Sequence, residues 1–116
     1  MKGRPATRNP RPAAIVVVFV TCPSLAVARR LSRYLIERKL AACVNVVPRV
    51  ESTFRWQGKV ERCAESLLII KTARKRFPAL QAALLSRHPY QVPEIIGWPL
   101  AAGFAPYLRW VVSSAS

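Results

Sequence analysis

The feature that most constrains this fold is a long hairpin pattern in the middle of the chain. From Val50 to Trp56 the residues alternate, as expected for a strand with two different faces. Gln57 and Gly58 form a two-residue turn signal. The chain then returns as a strand from Lys59 to about residue 71. The sequence therefore predicts two antiparallel strands, with Val50, Ser52, Phe54 and Trp56 on one face of the first and Glu51, Thr53 and Arg55 on the other.

The predicted hairpin is longer than its own domain is wide. Each arm, about residues 45–56 and 59–70, spans roughly 40 Å when extended. A domain of about 100 residues has a radius of gyration near 13 Å and is therefore about 30 to 35 Å across. An exposed tip carrying Phe54 and Trp56 invites pairing with another chain. We expect a closed homo-oligomer with both aromatic residues at its interface; a bend at Pro48 is the monomeric alternative.

Strand and helix patterns alternate on both sides of the hairpin. Residues 15–20 are β-branched and aromatic, which favours a central strand, and Ser24 then provides an N-cap. Residues 28, 31 and 35 give the next segment one apolar helical face. After the hairpin, Phe77, Leu80 and Leu84 mark a second helix. Residues 92–98 predict a short edge strand because they include Pro93, and a last helix is predicted around residues 107–112.

The first residues allow two interpretations. Residues 1–12 are basic and residues 13–20 are apolar, and together with Ala26-Val27-Ala28 they are similar to a short signal peptide. Cleavage after Ala28 would, however, discard the first strand. We therefore predict a basic, proline-rich flexible tail over residues 1–13 and one domain over residues 14–113. Three cysteines without CxxC spacing agree with a reducing, cytoplasmic location.

The chain has a large positive charge, but this charge alone does not identify the class of partner. Nineteen Lys and Arg residues oppose five acidic residues, giving a formal charge of +14. Such a balance fits a nucleic-acid or acidic-membrane partner, or a chain that is simply rich in arginine. The strand at residues 61–70 carries none of the stacking aromatics of RNA-recognition sheets, and the apolar run 13–20 is too short to span a bilayer. We expect neither nucleic acid nor membrane as partner.

Seven short motifs occur in an order typical of one known family. They are Thr21-Cys22-Pro23, Leu40-Ala41-Ala42-Cys43-Val44-Asn45, Ser52-Thr53-Phe54-Arg55-Trp56-Gln57-Gly58-Lys59, Ile70-Lys71-Thr72, His88-Pro89-Tyr90, Pro93-Glu94-Ile95 and Tyr107-Leu108-Arg109-Trp110. With these motifs the chain resembles the CutA family, the divalent-cation tolerance proteins, over about residues 14–112. The resemblance implies an α+β, ferredoxin-like β-α-β-β-α-β domain with an antiparallel sheet, a long hairpin and an extra C-terminal helix. It also implies a cytoplasmic homotrimer, an association with copper and other divalent cations, and an architecture shared with the PII signalling proteins.

His88 and Cys22 are the candidate metal ligands. An imidazole in a loop can bind a borderline cation, and a thiol beside a helix N-terminus can have a lowered pKa. The alternatives are a hydrogen bond by which His88 positions the His-Pro-Tyr turn and an inert Cys22. The copper site proposed for the family uses a further Cys and a further His, and Val20 and Arg87 stand at those positions here. Any Cu²⁺ site is thus expected to be weak, and no cofactor is required.

A second constellation consists of polar and aromatic residues within or beside the motifs, namely Glu65, Lys71, Tyr90, Glu94 and Trp110. These side chains are expected to line a cleft between subunits. The two carboxylates could carry out acid–base chemistry or bind a hard cation; the alternative is an ion-pair network with Lys71 that fixes the subunit register.

Catalysis is not expected, because the chain has no Asp, one His and no recognised catalytic motif. We predict a trimeric, non-catalytic protein with a role in divalent-metal tolerance or response. The alternative is a PII-like sensor that binds a small anion in the inter-subunit cleft through Lys71 and Arg74.

Overall fold

The structure, a computed structural model, describes residues 9–116, which form four strands and three α-helices. Their order is β1 (Ile15–Cys22), α1 (Leu25–Glu37), β2 (Cys43–Trp56), β3 (Lys59–Ala73), α2 (Phe77–Arg87), β4 (Ile95–Pro99) and α3 (Ala105–Ser114), with 3-10 turns at Pro12–Ala14 and Arg74–Arg76. Residues 1–8 of the predicted tail lie outside the described residues. The Arg109 guanidinium donates a hydrogen bond to the Asn9 side chain, so the described chain is tied to α3 from its first residue.

All neighbouring strands of the single sheet are antiparallel, in the order β2-β3-β1-β4. Each half of the domain contributes a strand, a helix and a further strand. This arrangement confirms the predicted α+β, ferredoxin-like fold with its extra C-terminal helix. None of the helices within residues 9–116 combines the length and apolar character needed to cross a bilayer.

One face of the sheet carries the main core. Alternate residues of β1 and β3 face the helices and are fully buried, together with the apolar stripes of α1 and α2; they include Val18, Val20, Leu68, Ile70, Leu31, Leu35, Leu80 and Leu84. The predicted cap of α1 is confirmed, because Ser24 Oγ accepts a hydrogen bond from the Val27 amide at 3.2 Å. Pro78 lies in the first turn of α2, where a backbone N–H would have no acceptor within the helix, so its absence costs no hydrogen bond.

The opposite face of the sheet is only partly covered. At one end α3 packs Leu108 and Val111 against Ile15 in a second, smaller cluster. Further along, Phe19 and Trp98 meet edge to face with ring centroids 5.0 Å apart. Trp98 remains 44% exposed. This face therefore presents aromatic surface to its surroundings in the single chain.

The hairpin extends well beyond the sheet. β1 ends at Cys22, which pairs with Ser66, so residues 59–65 of β3 have only β2 as a neighbour. At the tip Gln57 and Gly58 have φ angles of 52° and 81°, as the predicted two-residue turn requires. The chain is accordingly 60 Å long and 26 × 22 Å in its other dimensions.

Pro48 lies within β2, as the predicted arm at about residues 45–56 requires. The strand continues through it with a register irregularity between Val47 and Val50, and Ser66 Oγ donates a 2.8 Å hydrogen bond to the Pro48 carbonyl. One predicted boundary needs correction. The edge strand begins at Ile95 rather than at residue 92, because Pro93 has no N–H to donate to a strand ladder. It is nevertheless an edge strand, as predicted.

Candidate functional site

A groove of about 830 Å³ lies where the hairpin leaves the sheet, and we call it the hairpin groove. Its floor is one face of the hairpin, and its wall is the loop that follows α2. The strand register places Phe54 opposite Glu61 and Ser52 opposite Cys63 on that face. The complete lining is Thr21, Ser52, Thr53, Phe54, Trp56, Glu61, Cys63, Glu65, Tyr90, Gln91, Val92 and Glu94.

His88 uses both ring nitrogens to hold the loop beside this groove. Its Nδ1 accepts a hydrogen bond from the Tyr90 amide at 3.1 Å, and its Nε2 lies 2.8 Å from the Thr21 carbonyl oxygen. An acceptor at Nδ1 and a donor at Nε2 describe one neutral imidazole tautomer. The side chain is also nearly buried. Binding a metal through either nitrogen would therefore require one of these hydrogen bonds to break.

Tyr90 connects the same loop to the sheet. Its hydroxyl donates a 2.7 Å hydrogen bond to Glu65 Oε2. Burial and, second to it, this hydrogen bond raise the pKa of Tyr90 above its ordinary value. Glu65 is 8% exposed, and a carboxylate at that depth requires such a partner. The contact therefore fixes the loop and satisfies a buried charge.

Cys22 is a buried thiol rather than an activated one. Burial, followed by the nearby Glu65 carboxylate, raises its pKa from 9.0 to about 11. The sequence suggested the opposite direction, because Cys22 precedes a helix N-terminus. Desolvation outweighs the helix dipole at this position. Within residues 9–116 no cluster of three or more His, Cys, Asp or Glu side chains is arranged to hold a metal ion.

The structure brings together part of the predicted constellation. Glu65, Tyr90 and Glu94 all line the groove, whereas Lys71 and Trp110 do not. The Lys71 ammonium donates a hydrogen bond to the Asn45 side chain on the sheet. Trp110 lies on α3, where its ring is 5.6 Å from that of Tyr107.

The predicted ion-pair network is not formed within the described chain, whose one ion pair, Arg33–Glu37, lies on α1. Phe54 and Trp56 line the groove and are 43% and 44% exposed. They are thus available to a neighbouring chain, although the single chain does not test their predicted role as interface residues.

Seven of the twelve lining residues were not predicted as site residues, and two of the seven show why. Thr21 acts through its backbone carbonyl, which no side-chain pattern reveals. Glu61 could have been found, because a turn at residues 57 and 58 fixes the register and places it opposite Phe54. With Glu61 included, three of the five acidic residues of a chain of charge +14 line this one groove.

The sequence of this chain is similar to that of one protein family. A model of the family described as CutA1 divalent ion tolerance protein matches residues 16–114. The mouse protein CutA is 44% identical over 100 residues, which are 86% of this chain and 56% of that protein. This chain thus spans little more than half the length of that relative.

Two further similarities cover nearly the whole of the compared chain. The divalent-cation tolerance protein CutA of Thermus thermophilus is 47% identical over 95 residues, or 82% of this chain and 92% of that protein. The crystal structure of CutA1 from Oryza sativa superposes with a TM-score of 0.87 at 42% identity, over 92% of this chain and 98% of that one.

Proposed function

We propose that this chain, which belongs to the CutA1 family of divalent ion tolerance proteins, works as a non-catalytic homotrimer. In this proposal the hairpin groove becomes a cleft between subunits. The role is in tolerance of, or response to, divalent metal ions including Cu²⁺.

The overhanging part of the hairpin is the observation that carries this proposal. Over residues 50–56 and 59–65 each strand has only the other as a neighbour, and a two-stranded hairpin is marginally stable by itself in water. Its aromatic side chains and the partly covered face of the sheet both present apolar surface. Neighbouring copies that cover these two surfaces would supply the missing packing, and a closed ring would satisfy every copy equally.

Native mass spectrometry of the purified chain tests the assembly. The monomer has a mass of 13.0 kDa, so the proposal requires a dominant species of three times that mass at micromolar concentration. A dominant monomer or dimer would contradict the homotrimer and with it the inter-subunit cleft.

We assign His88 a positioning role within this function, because both of its ring nitrogens already have partners. Titration with Cu²⁺ of the wild type and of His88→Ala tests this assignment. We expect the Cu²⁺ affinities to agree within about twofold, because in this assignment the imidazole makes no bond to the metal ion. Glu94→Gln serves as a matched variant, because it removes a groove carboxylate without touching the loop hydrogen bonds. A loss of more than about tenfold in His88→Ala alone would instead make His88 a ligand.

A PII-like sensor with an anion in the cleft is the alternative. The groove disfavours it, because Glu61, Glu65 and Glu94 give it an acidic lining and Lys71 lies elsewhere. An anion that copurifies with the trimer and is displaced in Lys71→Gln would favour the sensor instead.

A cytoplasmic location is also part of the proposal. It is supported by the three cysteines, all of which have free thiols. Fractionation of cells that produce the chain would test it, and recovery in an exported fraction would contradict it.

A further inference from the structure

A second concave site lies on the helix-covered side of the molecule. It is a pocket of about 400 Å³ between α1 and the last turn of α2. Residues of α1 line one side and residues of α2 the other, namely Arg30, Leu31, Arg33, Tyr34 and Glu37, and Ser86 and Arg87. Among the described residues it shares no lining side chain with the hairpin groove. Its properties are therefore independent of the proposed function.

An aromatic ring holds one guanidinium in place in this pocket. Arg87 lies over the ring of Tyr34, 3.8 Å from the centroid, and Arg38 lies 4.9 Å from the same centroid. Such a cation–π contact fixes the plane of the guanidinium and leaves its edge N–H groups available as donors. Arg87 is therefore already oriented before any ligand arrives.

The pocket also carries uncompensated positive charge. Arg33 pairs with Glu37 at 2.8 Å, and this is the one ion pair formed within residues 9–116. Arg30 and Arg87 consequently have no carboxylate partner in that part of the chain. Of the four charged side chains that line the pocket, Arg33 and Glu37 compensate each other, and Arg30 and Arg87 leave an excess of two positive charges.

The surrounding helices strengthen this field. Residues 25–39 contain five Lys and Arg residues and residues 74–87 contain four, against Glu37 as their one acidic residue. The other four Glu residues all belong to the hairpin or to the loop before β4. The C-terminal end of α2 adds about half a negative charge, which is small beside this excess.

We propose that the pocket binds a phosphate group, carried either by a small soluble molecule or by the headgroup of an acidic lipid. Planar guanidinium groups match phosphate oxygens with paired hydrogen bonds. A phosphate monoester carries about −1.5 to −2 charges at neutral pH, which matches Arg30 and Arg87 together. A carboxylate would compensate only one of them.

Calorimetric titration of the full-length chain with inorganic pyrophosphate, at about 0.15 M salt, tests the pocket. The double variant Arg30→Gln/Arg87→Gln should lose at least about tenfold in affinity. The control Arg29→Gln/Lys75→Gln removes the same charge from exposed positions outside the pocket and should lose less than about twofold. Arg87→Lys keeps the charge but not the planar fork, and an intermediate loss is expected.

Cosedimentation with phosphatidylcholine vesicles, with and without phosphatidic acid, separates the two sources of phosphate. Pyrophosphate binding without vesicle binding identifies a soluble ligand, and vesicle binding that the pocket variant abolishes identifies a lipid. Equal losses in the two double variants would overturn the proposal in favour of diffuse attraction. The proposal would also be overturned if pyrophosphate showed no saturable binding up to concentrations on the order of 10 mM and the chain did not cosediment with vesicles that contain phosphatidic acid. Native masses of the same variants show whether the trimer persists, so failure here is distinguishable from failure of the proposed function.

Discussion

The two halves of the hairpin have the same hydrogen-bonded ladder and very different surroundings. In the half next to the sheet, residues 43–47 and 67–73, β3 pairs with both β2 and β1 and the helices cover one face. In the outer half, residues 50–56 and 59–65, each strand pairs with one neighbour and most side chains are exposed. Alternation and register are therefore enough to form a strand, whereas the stability of that strand depends on what covers its side chains.

A pair of truncations, one in each half, should give the largest difference. Leu68→Ala empties a fully buried site in the inner half and should lower the free energy of unfolding by about 2 to 5 kcal/mol. Val60→Ala, at a side chain 66% exposed in the outer half, should change it by less than about 0.5 kcal/mol. Urea denaturation at one fixed protein concentration measures both. Similar losses at the two sites would mean that assembly buries Val60.

The outer half should matter for association instead. The double variant Phe54→Ala/Trp56→Ala removes two exposed aromatics from one face, and we expect the assembly to weaken by about 2 kcal/mol or more. The control Glu51→Ala/Arg55→Ala acts on the opposite face of the same strand, at two exposed residues that do not line the groove. Sedimentation velocity over a dilution series compares the two. Equal dissociation in both variants would show that neither face is specifically the interface.

A substitution at the junction between the two halves of the hairpin should have a smaller effect on the free energy of unfolding. Tyr90→Phe removes the hydroxyl that donates to Glu65 Oε2, and we expect a loss of about 1 to 2 kcal/mol in the free energy of unfolding. Because the pKa of Tyr90 is raised in the folded state, its contribution is complete below about pH 10 and declines above it. The wild type should therefore lose more stability above that pH than Tyr90→Phe does.

Cys22 should give the smallest of these effects, again through pH. Its pKa rises from 9.0 to about 11 on folding, so the thiol stays protonated in the folded chain where the unfolded chain ionises. This contribution is complete below pH 9.0 and declines as the pH rises toward about 11. Denaturation across that interval should show a shallower decline in Cys22→Ala than in the wild type. Cys43→Ala, at the start of β2, is the control, and an identical flattening there would contradict the assignment to Cys22.

The sequence was informative where one local pattern determined the structure. The turn at Gln57 and Gly58, the cap at Ser24 and the apolar stripe of α2 each follow from short-range chemistry. The irregularity between Val47 and Val50 lies at Pro48, which has no N–H to donate to a strand ladder. The hydrogen bond from Ser66 to the Pro48 carbonyl did not follow from the sequence, because it joins residues 18 positions apart.

The candidate site was less predictable than the fold for the same reason. Glu65 and Tyr90 were both placed in the predicted cleft constellation, but their direct hydrogen bond was not predicted, because it joins residues 25 positions apart. The two partners of His88 are a carbonyl and an amide of the backbone, which carry no side-chain signature. Lys71 was grouped with the site by motif, yet its position on β3 sets it beside Asn45.

The bulge beside Pro48 also has a geometric consequence for the whole assembly. Beyond it the outer hairpin is a lever about 24 Å long, because seven residues advance by about 3.4 Å each. A change of about 10° at the base would move the tip by roughly 4 Å, nearly the spacing of neighbouring strands. The hydrogen bond from Ser66 to the Pro48 carbonyl lies at the fulcrum of this lever. In the proposed homotrimer, Ser66 would thus help to set the angle between copies, and that angle would determine whether a ring closes and with how many members.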